Sequence, residues 1–265
     1  MKAGQVDSAI IERLLDLLKQ FKLPAVASEI EARFSEAGHR ESLLILVELL
    51  EQEASERKRR RVERLLVSSH LPPGKTLETF DDQRLPRPLT AQLRRLCDGL
   101  FLDNAMNVLM FGLPGTGKSH AACALGRALV NLGRKVLFIP TYEVVQQLLI
   151  AKRDLEMTNA LRKLDAYELL ILDDFGYVQQ SAEEVEVLFT LLGERYERRS
   201  ILITSNLVFS EWERIFKNPM TTLAAIDRTV HNSDILEFAV PSFRKEQAQK
   251  RKTQAEEVTL TDSTH

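Results

Sequence analysis

Cysteine is scarce in this chain of 265 residues, and the charges nearly cancel, with 36 Lys+Arg against 38 Asp+Glu. Cys97 and Cys123 sit in helix-like stretches without metal-type spacing, so they read as small core residues in a reducing compartment. The five histidines form no H-x-x-x-H or H-E-x-x-H pair, which removes the common helical zinc signatures. A net charge of −2 carries no global nucleic-acid signal, so any DNA contact must come from local patches. No segment approaches the roughly eighteen consecutive apolar residues of a membrane span. The first residues lack a signal-peptide pattern. A cytoplasmic protein with no membrane partner is expected, and no internal repeat is visible.

What is present is an apolar fraction of 44%, enough for a real core, and length for one large domain plus a small one. The most specific stretch is Gly112-Leu113-Pro114-Gly115-Thr116-Gly117-Lys118-Ser119. It follows an apolar strand, Asn107 to Phe111, and runs into a helix that starts near His120. Strand, loop and helix are the context that G-x-x-x-x-G-K-[ST] requires to cradle phosphates. The glycines let backbone N–H groups turn toward phosphate oxygens, and the helix adds its positive end. Lys118 is expected on the β- and γ-phosphates of a nucleotide, and Ser119 on Mg²⁺.

Upstream, residues 8–22 carry a helical apolar stripe through Ile10, Leu14, Leu18 and Phe21, stopped by Pro24. A second helix is predicted over 25–37, with Gly38 as its stop. A third starts near Glu41 and runs to Ser68. Its second half holds six cations within eight residues, Arg57 to Arg64, with Glu53→Arg57 and Glu56→Arg60 in the favourable i,i+4 order. The run, including Arg57, Arg60 and Arg61, is either a solvated helix face or a surface for DNA or a partner. Residues 1–70 therefore read as a small all-helical domain. Residues 71–76 read as a linker, 77–248 as a second domain, and 249–265 as a loose tail. Phe80 lies before the phosphate loop, where it would pack on adenine or on the core.

After the loop, strands alternate with helices: 135–140, 169–174, 200–206 and 235–240 read as strands. Helices are expected over 143–152 and 155–164, and Ser181 opens another through a capping-box spacing to Glu184. This is an α/β pattern, a mostly parallel five-stranded sheet in three layers. The strand at 169–174 ends in Asp173 and Asp174. A carboxylate there would hold Mg²⁺ (Asp173), and the next would act as base toward the attacking water (Asp174). Asn206, at the end of the next apolar strand, would touch the γ-phosphate or the water, or else simply turn the chain.

These segments, together with Ala225-Ile226-Asp227-Arg228-Thr229-Val230-His231-Asn232, resemble the AAA+ ATPases of the initiator and helicase-loader group. Within it the chain is similar to the IstB-type transposition helpers, and next to the DnaC-type helicase loaders. The resemblance implies a slow, switch-like ATPase with ATP and Mg²⁺ as cofactors. It implies a phosphate loop binding nucleotide from Gly112 to His120, with Leu113, Pro114, Gly115, Thr116 and Gly117 between. Lys118 and Ser119 match the Walker A pair, Asp173 and Asp174 the Walker B pair, and Asn206 sensor 1. Arg228 matches the arginine finger supplied to a neighbouring subunit, and Arg244 the place of a second sensor. The group's extra helix falls at 144–164, where Lys152, Arg153, Arg162 and Lys163 would line DNA. The implied partners are duplex DNA, further copies of the chain in a homo-oligomer, and the transposase of the same mobile element. A helicase is the alternative partner. A small-molecule phosphotransferase would need an acceptor motif, and none is visible.

Overall fold

The structure, a computed structural model, describes residues 3–34, 39–176, 181–207, 211–212, 219–243 and 245–246. Gly38, Arg244 and the stretch 249–265, each assigned a role from sequence, lie outside the described residues. The chain divides into two compact units, Met1–Glu63 and Arg64–His265.

The first unit is helical: α1 (Ala3–Gln20), α2 (Pro24–Arg33) and most of α3 (Arg40–Ser68). Leu14, Leu18, Ile30 and Leu43 form its core, with Ile10, Phe34, Val47 and Leu50 packed around them. The apolar stripe of α1 thus does what its 3.6-residue spacing predicts. The helix begins earlier than the predicted 8–22, at Ala3, and it ends at Gln20, before Lys22 turns to φ +58 ahead of Pro24. The helix expected over 25–37 stops at Arg33.

The second unit is built on five parallel strands: β1 (Asn107–Gly112), β2 (Val136–Pro140), β3 (Leu169–Phe175), β4 (Ser200–Ser205) and β5 (Ser233–Phe238). Their spatial order is β2-β3-β4-β1-β5. The strand carrying Asn206 at its end therefore lies between the phosphate-loop strand and the carboxylate strand. Four strands are buried along nearly their whole length, which is why they read as continuous apolar runs rather than alternating ones.

Helices cover both faces. One face carries Leu109, Phe111, Leu170, Leu172, Ile201 and Ile203 against α7 (Thr141–Arg153), α8 (Met157–Asp165), α9 (Ala182–Arg195) and α10 (Pro219–Val230). The other face is crossed by α6 (Lys118–Asn131). Before β1 come α4 (Arg87–Leu96) and the single turn α5 (Leu100–Asp103). The three-layer α/β architecture predicted from sequence is the one observed.

Several boundaries differ from the sequence reading. Leu155, expected inside a helix, separates α7 from α8 at φ +58. The last strand covers 233–238 rather than 235–240, because its register with β1 pairs Asn107 with Ser233 and Gly112 with Phe238. The stretch read as a linker packs on this second unit. Leu71 is buried and Arg127 Nη2 donates to Pro72 O at 3.2 Å; just before the stretch, Ser69 O accepts from Phe138 N at 2.8 Å.

The capping box at Ser181 is present as predicted, with Ser181 Oγ accepting from Glu184 N and Glu184 Oε2 accepting from Ser181 N. At the far end of α9, Arg195 is 2% exposed and donates to the carbonyls of Leu164, Tyr167 and Ser200. It ties α8, the entry to β3 and β4 into one corner. Burial pushes its guanidinium down to about 10, so it stays charged at neutral pH.

Candidate functional site

The loop between β1 and α6 makes the floor of a cavity of about 610 Å³. Gly112 is required at its start: a Cβ there would sit 2.6 Å from the Phe238 carbonyl oxygen of β5. Gly115 and Gly117 follow at φ +83 and +100, so the loop turns through conformations L side chains avoid. The N-cap residue of α6, Gly117, has no side chain to cap the helix, which leaves the positive end of the helix dipole open to an anion. Lys118 is buried, its ammonium donating to the carbonyls of Gly112 and Leu113 at 2.7 and 3.0 Å.

Residues far apart in sequence complete the cavity: Phe80, Arg84, Pro114 to His120, Tyr142, Asp173, Asp174, Asn206 and Phe243. The predicted loop, carboxylate pair and Asn206 thus converge. Asn206 Oδ1 is buried with no hydrogen-bond partner among the described residues. A buried acceptor without a partner is costly, and this one belongs to a side chain lining the cavity. The positive helix start and the ammonium fit the phosphates, the two carboxylates fit a divalent cation, and the orphan amide oxygen calls for a donor such as a water.

The carboxylates owe their placement to a bulge. Leu172 pairs with Ile203 and Phe175 with Ser205, so Asp173 and Asp174 together oppose Thr204. The extra residue reverses the alternation that would otherwise send Asp174 into the apolar face packed by α7 and α9. Phe175 goes there instead, against Trp212 at a ring distance of 4.8 Å. Asp173 stays 8% exposed on the α6 side, and Asp174 turns out at φ +55.

Phe80, placed from sequence on either adenine or the core, lines the cavity and meets the ring of His120 edge-on at 5.2 Å. His120 Nε2 lies 3.1 Å from Thr79 Oγ1 and 3.2 Å from Thr76 O, fastening the segment before α4 to the start of α6. Burial pushes this imidazole below its usual range. Arg84 and Phe243 were not assigned from sequence. Arg84 Cζ sits 5.0 Å from the Phe243 ring centre, and Arg84 Nη2 donates to Glu246 Oε2 at 2.7 Å. Phe243 N donates to the loop carbonyl of Gly115 at 2.9 Å. The residues after β5 therefore wall the cavity, and no local spacing could announce a contact spanning 162 positions.

A profile of the family described as IstB-like ATP binding protein matches residues 16–252. The chain belongs to that family. It is 44% identical over 244 residues to an insertion sequence ATP-binding protein of Sinorhizobium fredii, covering 91% of this chain and 82% of that one. It is 34% identical over 236 residues to the insertion sequence IS21 ATP-binding protein of Pseudomonas aeruginosa, covering 88% and 89%. Among solved structures, the DnaC helicase loader superposes with a TM-score of 0.52 at 19% identity, over 62% of this chain and 97% of that one. AMPPCP-bound DnaA from Aquifex aeolicus gives 0.55 at 18%, over 68% and 56%. At such identities the likeness shows the AAA+ fold alone.

In this IstB-like chain Arg228 stands apart from the cavity. Its guanidinium lies 4.7 Å from the Phe189 ring centre on α9. A Cβ on Gly193 would fall 2.8 Å from Arg228 Nη1, so that helical glycine makes the slot. The next residue, Thr229, accepts from Asn107 Nδ2 at 3.1 Å, and Asn107 is where β1 begins. Asn107 and Gly112 are the two ends of this six-residue strand, roughly 17 Å apart by the strand rise. Arg228 is thus at the opposite end of the sheet from its own phosphate loop.

The basic residues divide into two groups. Arg57 is paired with Glu53, and Arg59 and Arg60 with Glu56. The hydrogen bond from Arg59 holds the Glu56 carboxyl down to about 2. On α7 and α8, Lys152 pairs with Glu186 and Arg153 with Asp154, while Arg162 and Lys163 are exposed in the last turn of α8. No helix among the described residues is long and apolar enough to cross a membrane.

Proposed function

We propose that this chain is an ATPase that assembles on duplex DNA in its ATP-bound state and stimulates the transposase of its own mobile element. The observation that carries the reading is the separation just described: loop, carboxylates and Asn206 on one cavity, Arg228 at the other end of the sheet. Such a layout suits a nucleotide completed by a neighbouring copy. Lys118 and the uncapped start of α6 neutralise the phosphates, and Phe80 and Phe243 flank the base. Ser119 and Asp173 would hold Mg²⁺, which offsets negative charge on the β- and γ-phosphates when bound. Asp174 polarises the attacking water and Asn206 orients it. Arg228 of one copy supplies positive charge to the phosphoryl group held by the next. The relatives above are named for insertion sequences, which favours a transposase over a helicase as partner.

DNA contact is assigned first to α7 and α8, through Lys152, Arg153, Arg162 and Lys163, and second to Arg57, Arg60 and Arg61. Phosphate contacts dominate such binding and make it salt-dependent. Double reversal, Arg162→Glu with Lys163→Glu, lowers affinity for a random duplex about tenfold or more in ATP and flattens the salt slope by about two. Fluorescence anisotropy across a salt series reads both quantities. An unchanged slope would move the DNA path away from α8.

A further inference from the structure

The bulge in β3 leaves a task that the sequence reading gave to no residue. Two consecutive carboxylate residues face one residue of β4, Thr204, which is fully buried. Its hydroxyl does two things at once. Thr204 Oγ1 donates to Asp173 Oδ1 at 2.5 Å and accepts from Asp174 N at 3.1 Å. Ser205 closes the far side of the bulge, its Oγ donating to Phe175 O at 2.7 Å. Thr141 Oγ1 holds the Asp173 carbonyl from the β2 side at 2.8 Å.

We propose that Thr204 is a positioning residue that sets the different roles of the two carboxylates. A hydroxyl has one proton to give, and here it is given to Asp173. That bond fixes the Asp173 carboxylate and leaves its second oxygen for the cation. The lone pair of the same hydroxyl holds the Asp174 amide, and with it a left-handed backbone at φ +55 that L side chains disfavour. Without that anchor Asp174 relaxes toward ordinary strand geometry and its carboxylate leaves the cavity mouth. Thr204 is also two residues before Asn206, which follows the end of β4 at Ser205 and lines the same cavity as the two carboxylates.

The inference rests on Asp173 being the magnesium ligand, as proposed above. The test uses the full chain and a fluorescent ATP analogue, titrated with Mg²⁺ and again in EDTA; the ratio of the two affinities is the magnesium gain. Thr204→Val keeps the volume and removes the hydroxyl. It is expected to bind the analogue in EDTA as the parent does and to lose about tenfold or more of the magnesium gain. Its KM for MgATP should rise by that factor, and kcat should fall as well, because the carboxylates are no longer held in place. Thr204→Ser, which keeps the hydroxyl, restores both. Thr204→Ala gives the same answer as valine if valine does not fold. Full magnesium gain in Thr204→Val or Thr204→Ala overturns the inference, as does a serine variant no better than valine. Asp173→Asn is the control: if it too keeps the full gain, the magnesium assignment itself is wrong and the role of Thr204 falls with it.

Discussion

Replacing Lys118 with alanine lowers affinity for MgATP about a hundredfold, since a charged hydrogen bond contributes roughly 1.5–3 kcal/mol and an ammonium between two phosphates makes more than one. The ammonium is buried on the loop carbonyls of Gly112 and Leu113, so it stands at the floor of the cavity without reaching out from the surface. Its removal leaves the glycine turns and the α6 dipole in place, which is why binding is weakened rather than erased. The fold should survive, because β1 and α6 are held by packing along their apolar faces. Isothermal titration with ATP and Mg²⁺ gives the affinity, and circular dichroism the fold. A Lys118→Ala protein within threefold of the parent would mean that the phosphates sit elsewhere.

Replacing Arg228 with alanine has the complementary effect. Nucleotide affinity changes by about twofold or less, because Arg228 lies outside the cavity and at the other end of β1. Turnover falls by about a thousandfold or more, the scale on which an arginine supplied across an interface acts in phosphoryl transfer. The distinguishing measurement is a mixture. Lys118→Ala and Arg228→Ala chains, each inactive alone, should recover part of the parent's hydrolysis when combined, since one brings the arginine and the other the phosphate loop. If the mixture stays silent, or if Arg228→Ala loses ATP as Lys118→Ala does, Arg228 acts within its own chain or only structurally.

The phosphate loop was legible because its chemistry is local: eight consecutive residues between an apolar strand and a helix. The central strands were legible because each is buried on both faces, and a run such as Leu169 to Leu172 has few other uses. The capping box at Ser181 was legible for the same reason, as its two hydrogen bonds span three residues. The helix limits around Leu155 were not, since an exposed leucine at φ +58 carries no signal in an apolar pattern. Arg84 and Phe243 were hidden by distance along the chain, and Arg195 by type, an arginine being an unusual residue to bury. Thr204 was hidden by the bulge. Two aspartates in a row announce a site, but only the register shows that one threonine faces both.

The central claim is that ATP joins copies of this chain around DNA, and the mass of the particle in solution tests it most directly. Sedimentation velocity should show the purified chain with Mg²⁺ and a random duplex moving as a multi-copy complex in ATP. In ADP, or with Arg228→Ala in ATP, it should fall back toward single chains. A chain that sediments as a monomer with ATP, Mg²⁺ and duplex all present would contradict the proposed function.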